Sequence, residues 1–180
     1  MKTMCKACLC LVLLWAVLSL SPMALAQTTA PQLPTAKELG FLIGKWDTTI
    51  VINPTEITPA GVKGTGLIEY RLFGQAIEGS QSSDSNVGHY EDRELIAYDS
   101  ATDSYVMFTV NLNGMATQRN LKRYVDVWVL EYRGQISGKD FTIRGTYKTI
   151  SKNELHYTAE VEVAGSGFKP YAELIYKRAK

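Results

Sequence analysis

Glu154-Leu155-His156-Tyr157-Thr158-Ala159-Glu160-Val161-Glu162-Val163 alternates without a break. Leu155, Tyr157, Ala159, Val161 and Val163 fall on one face of an extended chain, and Glu154, His156, Thr158, Glu160 and Glu162 on the other. This is a strand with one dry and one wet face. The preceding stretch repeats the pattern, with Phe141, Ile143, Gly145 and Tyr147 opposite Thr142, Arg144, Thr146 and Lys148. Working outward, strand patterns are predicted at 45–52, 62–72, 75–83, 93–99, 104–112, 115–123, 125–133, 139–149, 153–164 and 170–178. Their separators are turn-forming: residues 99–103 (DSATD), Asn113-Gly114, residues 134–138 and residues 151–153 (SKN). The polar run 80–92 (SQSSDSNVGHYED) is expected to end in a mobile loop. No second helical region exists that could supply βαβ crossovers, so the sheet is antiparallel. The fold class is all-β: an up-and-down antiparallel barrel of about 8–10 strands, whose closure removes exposed edges. A β-sandwich competes, but it calls for longer connections between sheets.

Before the strands come three segments of different character. Met1, Lys2 and Lys6 form a basic start, Leu9 to Leu20 is an unbroken apolar run, and Ala24-Leu25-Ala26 is a small-x-small site. Together they make a secretory signal peptide over 1–26, cleaved after Ala26. The apolar run is too short for a bilayer core that needs about 20 residues, so no stable membrane anchor is expected after cleavage. The expected location is periplasmic or secreted. Residues 27–34 (QTTAPQLP) form a flexible leader, and 35–180 the barrel domain. A capping box, Thr35-Ala36-Lys37-Glu38, opens a short helix over 35–43 with Leu39, Leu42 and Ile43 on its apolar side, closing one barrel end.

All three cysteines, Cys5, Cys8 and Cys10, lie within the signal segment. The mature chain then has no disulfide, thiolate metal site or cysteine nucleophile. Losing Lys2 and Lys6 leaves 17 basic against 18 acidic residues. That balance, with no basic stripe, argues against nucleic acid as a partner. Oligomeric state is left open.

Phe41-Leu42-Ile43-Gly44-Lys45-Trp46 places a short helix before a G-x-W at the first strand. This resembles the lipocalin/calycin opening. Residues 42–46 (LIGKW), 64–70 (GTGLIEY), the Leu72-Phe73-Gly74 turn, 96–106 (IAYDSATDSYV) and 172–178 (AELIYKR) are similar to a bacterial lipocalin-like family, domain of unknown function 1579. The likeness covers most of 39–180. It departs at Gln75-Ala76, where family members usually carry a cation and a large apolar residue, and in the polar stretch 111–124. The resemblance implies a barrel with a cavity rather than a reaction. It also implies that Trp46 plugs the closed end with Arg178 stacked upon it, a contact of about 0.5–2 kcal/mol.

Catalytic motifs are absent: the sequence has no H-x-H, H-E-x-x-H or G-x-S-x-G. His89 sits in the polar loop beside Tyr90, Glu91 and Asp92. His156 alternates with outward residues. The heme-binding nitrobindins share this fold and use a C-terminal-strand histidine, but they continue G-x-W-x-G-x-G, whereas Asp47-Thr48-Thr49 follow Trp46 here. No cofactor or metal is therefore expected. Alternation assigns Trp46, Tyr70, Phe108, Trp128, Tyr147 and Tyr157 to the barrel lining, amphipathic rings suited to a small apolar or amphipathic ligand. Glu78 and Arg119 lie on strands whose dry face alternation does not settle. Facing inward, they would form an acid–base or anion-recognition pair; facing outward, they are ordinary surface residues. The leading expectation is a small-molecule carrier. A cavity isomerase, cyclase or lyase using Tyr, Glu or Arg is the alternative, with heme binding and protein recognition by the 80–92 loop as lesser ones.

Overall fold

The computed structural model describes residues 36–180; the expected signal peptide and leader, and Thr35 of the expected capping box, lie outside the described residues. Ten strands follow one another: β1 (Gly44–Ile52), β2 (Val62–Phe73), β3 (Ala76–Ser85), β4 (Gly88–Asp99), β5 (Ser104–Asn111), β6 (Ala116–Tyr124), β7 (Val127–Ile136), β8 (Lys139–Ser151), β9 (Glu154–Val163) and β10 (Lys169–Arg178). Each pairs antiparallel with its chain neighbour, and β1 closes on β10 from Trp46↔Arg178 to Ile52↔Ala172. The molecule is a closed up-and-down barrel, not a sandwich.

The structure corrects three local expectations. The helix over 35–43 is a single 3-10 turn, Ala36–Leu39, followed by a further turn. Too few residues separate it from β1 to extend it, yet Leu39 and Leu42 are still fully buried. Residues 80–92 are not a mobile loop. β3 and β4 pair continuously from Ile77↔Ile96 to Ser85↔Gly88, with Asn86 and Val87 at the tip. Backbone pairing does not need apolar side chains, and here the inward face carries Ser83 and Asp92, both buried. That substitution erased the alternation. Finally, Val125 begins no strand but sits in the β6–β7 turn at φ +50°.

All odd strands run away from one barrel end and all even strands return to it. At that end Trp46, Ile68, Ile77, Ile96, Met107, Leu121 and Leu155 meet Leu39 and Leu42 in one core. Trp46 Nε1 donates to the Leu42 carbonyl at 2.7 Å, tying the plug to the first strand. The Arg178 guanidinium lies 3.8 Å above the Trp46 ring and donates to the Ile43 carbonyl. Gly44 fits this corner for two reasons. Its φ is +125°, and a Cβ there would collide with the Arg178 guanidinium. The outer wall carries charge pairs such as Lys45–Glu69 at 3.4 Å and Arg71–Glu78 at 2.9 Å. Among the described residues, no helix is long and apolar enough to cross a membrane.

Candidate functional site

The interior changes character halfway along the barrel. Beyond the closed-end core, inward positions become small or polar: Gly64 and Gly66 on β2 face Ser85 and Ser83 on β3. On the opposite wall, β6 to β10 and β1 leave a cavity of about 300 Å³. Its apolar lining comes from Ile52, Leu130, Ile143, Ala172 and Leu174, and its polar lining from Arg119, Tyr132, Tyr157 and Tyr171. This size lies at the lower end of small-molecule sites, which span roughly 300–1,000 Å³.

Tyr157, paired with Tyr147 on β8, enters the cavity by lying across Gly145, the next inward position of that strand. A side chain at Gly145 would occupy the space of the Tyr157 ring and hydroxyl. Tyr171 sits at the bulge between Pro170 and Ala172 on β10, and its hydroxyl is 2.9 Å from Thr58 Oγ1. Thr58 belongs to the 53–61 connection between β1 and β2. That connection turns on itself through paired Thr55–Thr58 backbone hydrogen bonds of 3.1 and 3.2 Å. Its Glu56 reaches Lys139, the first residue of β8, at 2.8 Å. Since β10 and β9 lie between β1 and β8 in the barrel, this segment runs along the rim beside the cavity.

Beneath and beside the cavity is a hydrogen-bonding layer. Tyr70 donates to Glu94 Oε2 at 2.7 Å, both residues being buried. Tyr90 donates to Asp92 Oδ2 at 2.9 Å. Burial, with the Glu94 charge second, holds the Tyr70 phenol well above its ordinary range. Burial and the neighbouring phenols do the same to Tyr147. Tyr157 is pushed up to about 12 by burial, against the pull of Arg119. These phenols stay protonated in ordinary solution and act as donors. Asp92 differs. Burial first, and the Glu94 charge second, push its carboxyl up to about 6, against the opposing Tyr90 hydrogen bond and Arg119. A carboxyl raised this far changes protonation near neutrality. Burial works against the Arg119 charge, but Glu94 and the surrounding phenols outweigh it and hold the guanidinium above its usual value.

The eight residues singled out by sequence divide into three groups. Arg119 and Tyr157 line the cavity. Trp46, Tyr70, Trp128 and Tyr147 also face inward, but they belong to the packed core rather than to the cavity wall. Phe108 and Glu78 point outward. Phe108 is 46% exposed because β5 pairs Met107 with Ile96 and Tyr105 with Tyr98, giving Tyr105, Met107 and Thr109 the inner face. An all-apolar run fits either parity, and the register decided it. Glu78 flanks inward Ile77 and Gly79 and accepts from Arg71 on β2 at 2.9 Å. Glu78 takes the outward alternative, so no Glu78–Arg119 pair forms; the interior carboxylates are Asp92 and Glu94. Glu94 and Asp92 share parity with Ile96, and that signal, followed back along β4, was enough to find them.

Both histidines lie away from the cavity. His89 is on β4 between Asp84 and Glu91, at 2.8 and 3.0 Å, and those carboxylates raise its proton affinity. His156 contacts Glu154 at 2.7 Å, and its neighbours Leu155 and Tyr157 take the inner face.

Comparison with protein-family models finds no match, nor does comparison with curated proteins. Solved structures do match. Rv2717c from M. tuberculosis aligns over 82% of this chain and 98% of its own, with TM-score 0.57 and 13% identity. The S-type phycobiliprotein lyase CPES from Guillardia theta aligns over 82% of this chain and 94% of its own, with TM-score 0.53 and 8% identity. A de novo designed fluorescence-activating β-barrel aligns over 78% and 95%, with TM-score 0.43 and 14% identity. At such identities the first two establish architecture alone. The chain shares with them the architecture of a closed up-and-down β-barrel.

Proposed function

We propose that this chain is an exported lipocalin-like carrier that binds one small apolar or amphipathic molecule in the open half of its barrel. One observation carries the reading: a cavity of about 300 Å³ lined by aliphatic side chains and four polar ones, above a fully packed floor. Few convergent polar groups on an apolar wall are what a small-molecule site needs. The segment 1–26 supports export to the periplasm or beyond, and the motifs at 42–46, 64–70 and 96–106 support membership of the domain of unknown function 1579 family. The test is native mass spectrometry of the protein purified from its own compartment. The expected result is a non-covalent adduct of on the order of 150–200 Da, the size such a cavity accepts. An adduct-free protein that also ignores panels of apolar and aromatic compounds contradicts the reading.

A second reading is a cavity enzyme performing an isomerisation, cyclisation or elimination. The Asp92 carboxyl, pushed up to about 6 beside Tyr90, favours it as a proton-transfer group. The two readings part on Asp92→Asn: a carrier keeps its ligand and loses nothing else, whereas an enzyme keeps binding and loses turnover.

A further inference from the structure

Among the residues lining the cavity, Arg119 alone is charged. A guanidinium has five N–H donors and no acceptor. The contact it makes is with Met107 Sδ at 4.0 Å, a weak acceptor at long range. Asp92 and Glu94 act on it through their charge rather than by an ion pair, and both have other partners: Tyr70 donates to Glu94, and Tyr90 to Asp92. The guanidinium is thus held charged from behind, with donors left over toward the cavity. Arg119 is only partly buried, so its remaining donors open onto the cavity, where a ligand acceptor can reach them.

The neighbouring wall is also under-satisfied. Asp92 Oδ1, Thr109 Oγ1 and Thr117 Oγ1 are buried with no hydrogen-bond partner. Thr109 and Thr117 face each other across β5 and β6, and Thr109 faces Glu94 across β4 and β5. Thr48 Oγ1 on β1 is the fourth such atom, but these three sit on adjacent strands that include Arg119's own, so most of the polar demand lies on one side of the interior. The other side, from β7 to β10, offers rings and aliphatic chains.

Charge decides between acceptor types. Two carboxylates, Asp92 and Glu94, already surround one guanidinium inside a low-dielectric barrel. A ligand carboxylate would add a third negative charge to that set, and its desolvation is expensive. A neutral oxygen acceptor takes the Arg119 donors without that penalty. The cavity volume admits roughly ten to fifteen non-hydrogen atoms. We propose, building on the carrier reading above, that the ligand is a neutral, ring-bearing carbonyl compound whose oxygen accepts from Arg119 while its rings lie among Tyr132, Tyr157, Leu130 and Ile143.

Three probes of nearly equal shape test this at pH 8 by isothermal titration calorimetry: 2-acetonaphthone, 2-ethylnaphthalene and 2-naphthoate. The ketone should bind at least tenfold more tightly than the hydrocarbon, as a charge-assisted hydrogen bond implies, and more tightly than the acid. Arg119→Met should erase the preference for ketone over hydrocarbon while leaving hydrocarbon affinity within a few-fold. Arg119→Lys, which retains the charge, should narrow the preference without erasing it, and circular dichroism shows that each variant is folded. The wild-type comparison needs no variant at all. Equal binding of ketone and hydrocarbon, or tightest binding of the acid, overturns the inference and leaves the carrier reading standing. Failure of all three probes to bind takes down the carrier reading itself.

Discussion

The two halves of this barrel are built from the same ten strands but are filled by different rules. In the closed half large side chains fill the interior, with Gly79 making room for the Tyr70 ring, and the 3-10 turn, Trp46 and Arg178 complete the plug. In the open half the same strands turn inward Gly64, Gly66, Ser83, Asp92, Thr109 and Thr117. The closed half is where stability is concentrated; the open half gives up packing for a space and for polar atoms that lack protein partners. An interior of uniform large residues would be more stable and have nowhere to hold a ligand.

Substitution should separate the halves. Trp46→Ala removes a ring that is 2% exposed, together with its hydrogen bond to Leu42 and its stack under Arg178. About 3–5 kcal/mol of stability should be lost, read as a fall in the urea midpoint with unchanged slope. Ile143→Ala, on the cavity wall and only partly buried, should cost about 1–2 kcal/mol, because the space it vacates adjoins one already present. If the two variants are equally destabilised, the contrast between the halves is wrong.

A smaller effect should follow from pH. The folded-state pKa of Asp92 is raised from 3.8 to about 6. Its contribution is fully present below the unfolded value and is lost as pH rises through the folded one. Stability should therefore decline between about pH 4 and pH 7, by on the order of 1–2 kcal/mol once residual solvent screening is allowed for. Asp92→Asn should flatten that slope. A profile that is unchanged in the variant would show that the carboxyl is not buried as described. The closed half supplies the control, since Trp46→Ala should leave the slope in place.

How much of this was readable beforehand also divides by half. Strand number, order and closure followed from alternation in segments such as 154–163, where one face is dry. Arg178 over Trp46 followed from the family resemblance, and the geometry agrees. In the open half the signal failed for a physical reason. A strand whose inner face is polar has two wet-looking faces, so 80–92 looked like a loop and Glu94 went unnoticed. Phe108 failed in the opposite way, because residues 105–108 are apolar at both parities and only pairing with Leu95 shows which side faces out. The inward carboxylates, Asp92 and Glu94, accordingly lie on β4, while Glu78 on β3 faces out.

The smallest expected effect lies at the closed end's outer tip. Val125 is 85% exposed and holds φ at +50°, a conformation that strains a β-branched residue. Val125→Gly or Val125→Asn should raise stability by about 0.5–1 kcal/mol in thermal unfolding, with no change in ligand affinity. A change in affinity would mean that the two ends are coupled, contrary to the separation drawn here.

The most direct test places a ligand. Methyl-labelled protein titrated with 2-acetonaphthone should show its largest shift changes at Leu130, Ile143 and Leu174, which line the cavity. Leu39, Leu42 and Ile77 in the plug, and Leu95 and Val110 on the outer face, should move little. Shifts centred on the plug or the outer face, or no shifts at saturating probe, would contradict the claim that the open half of the barrel is a binding site.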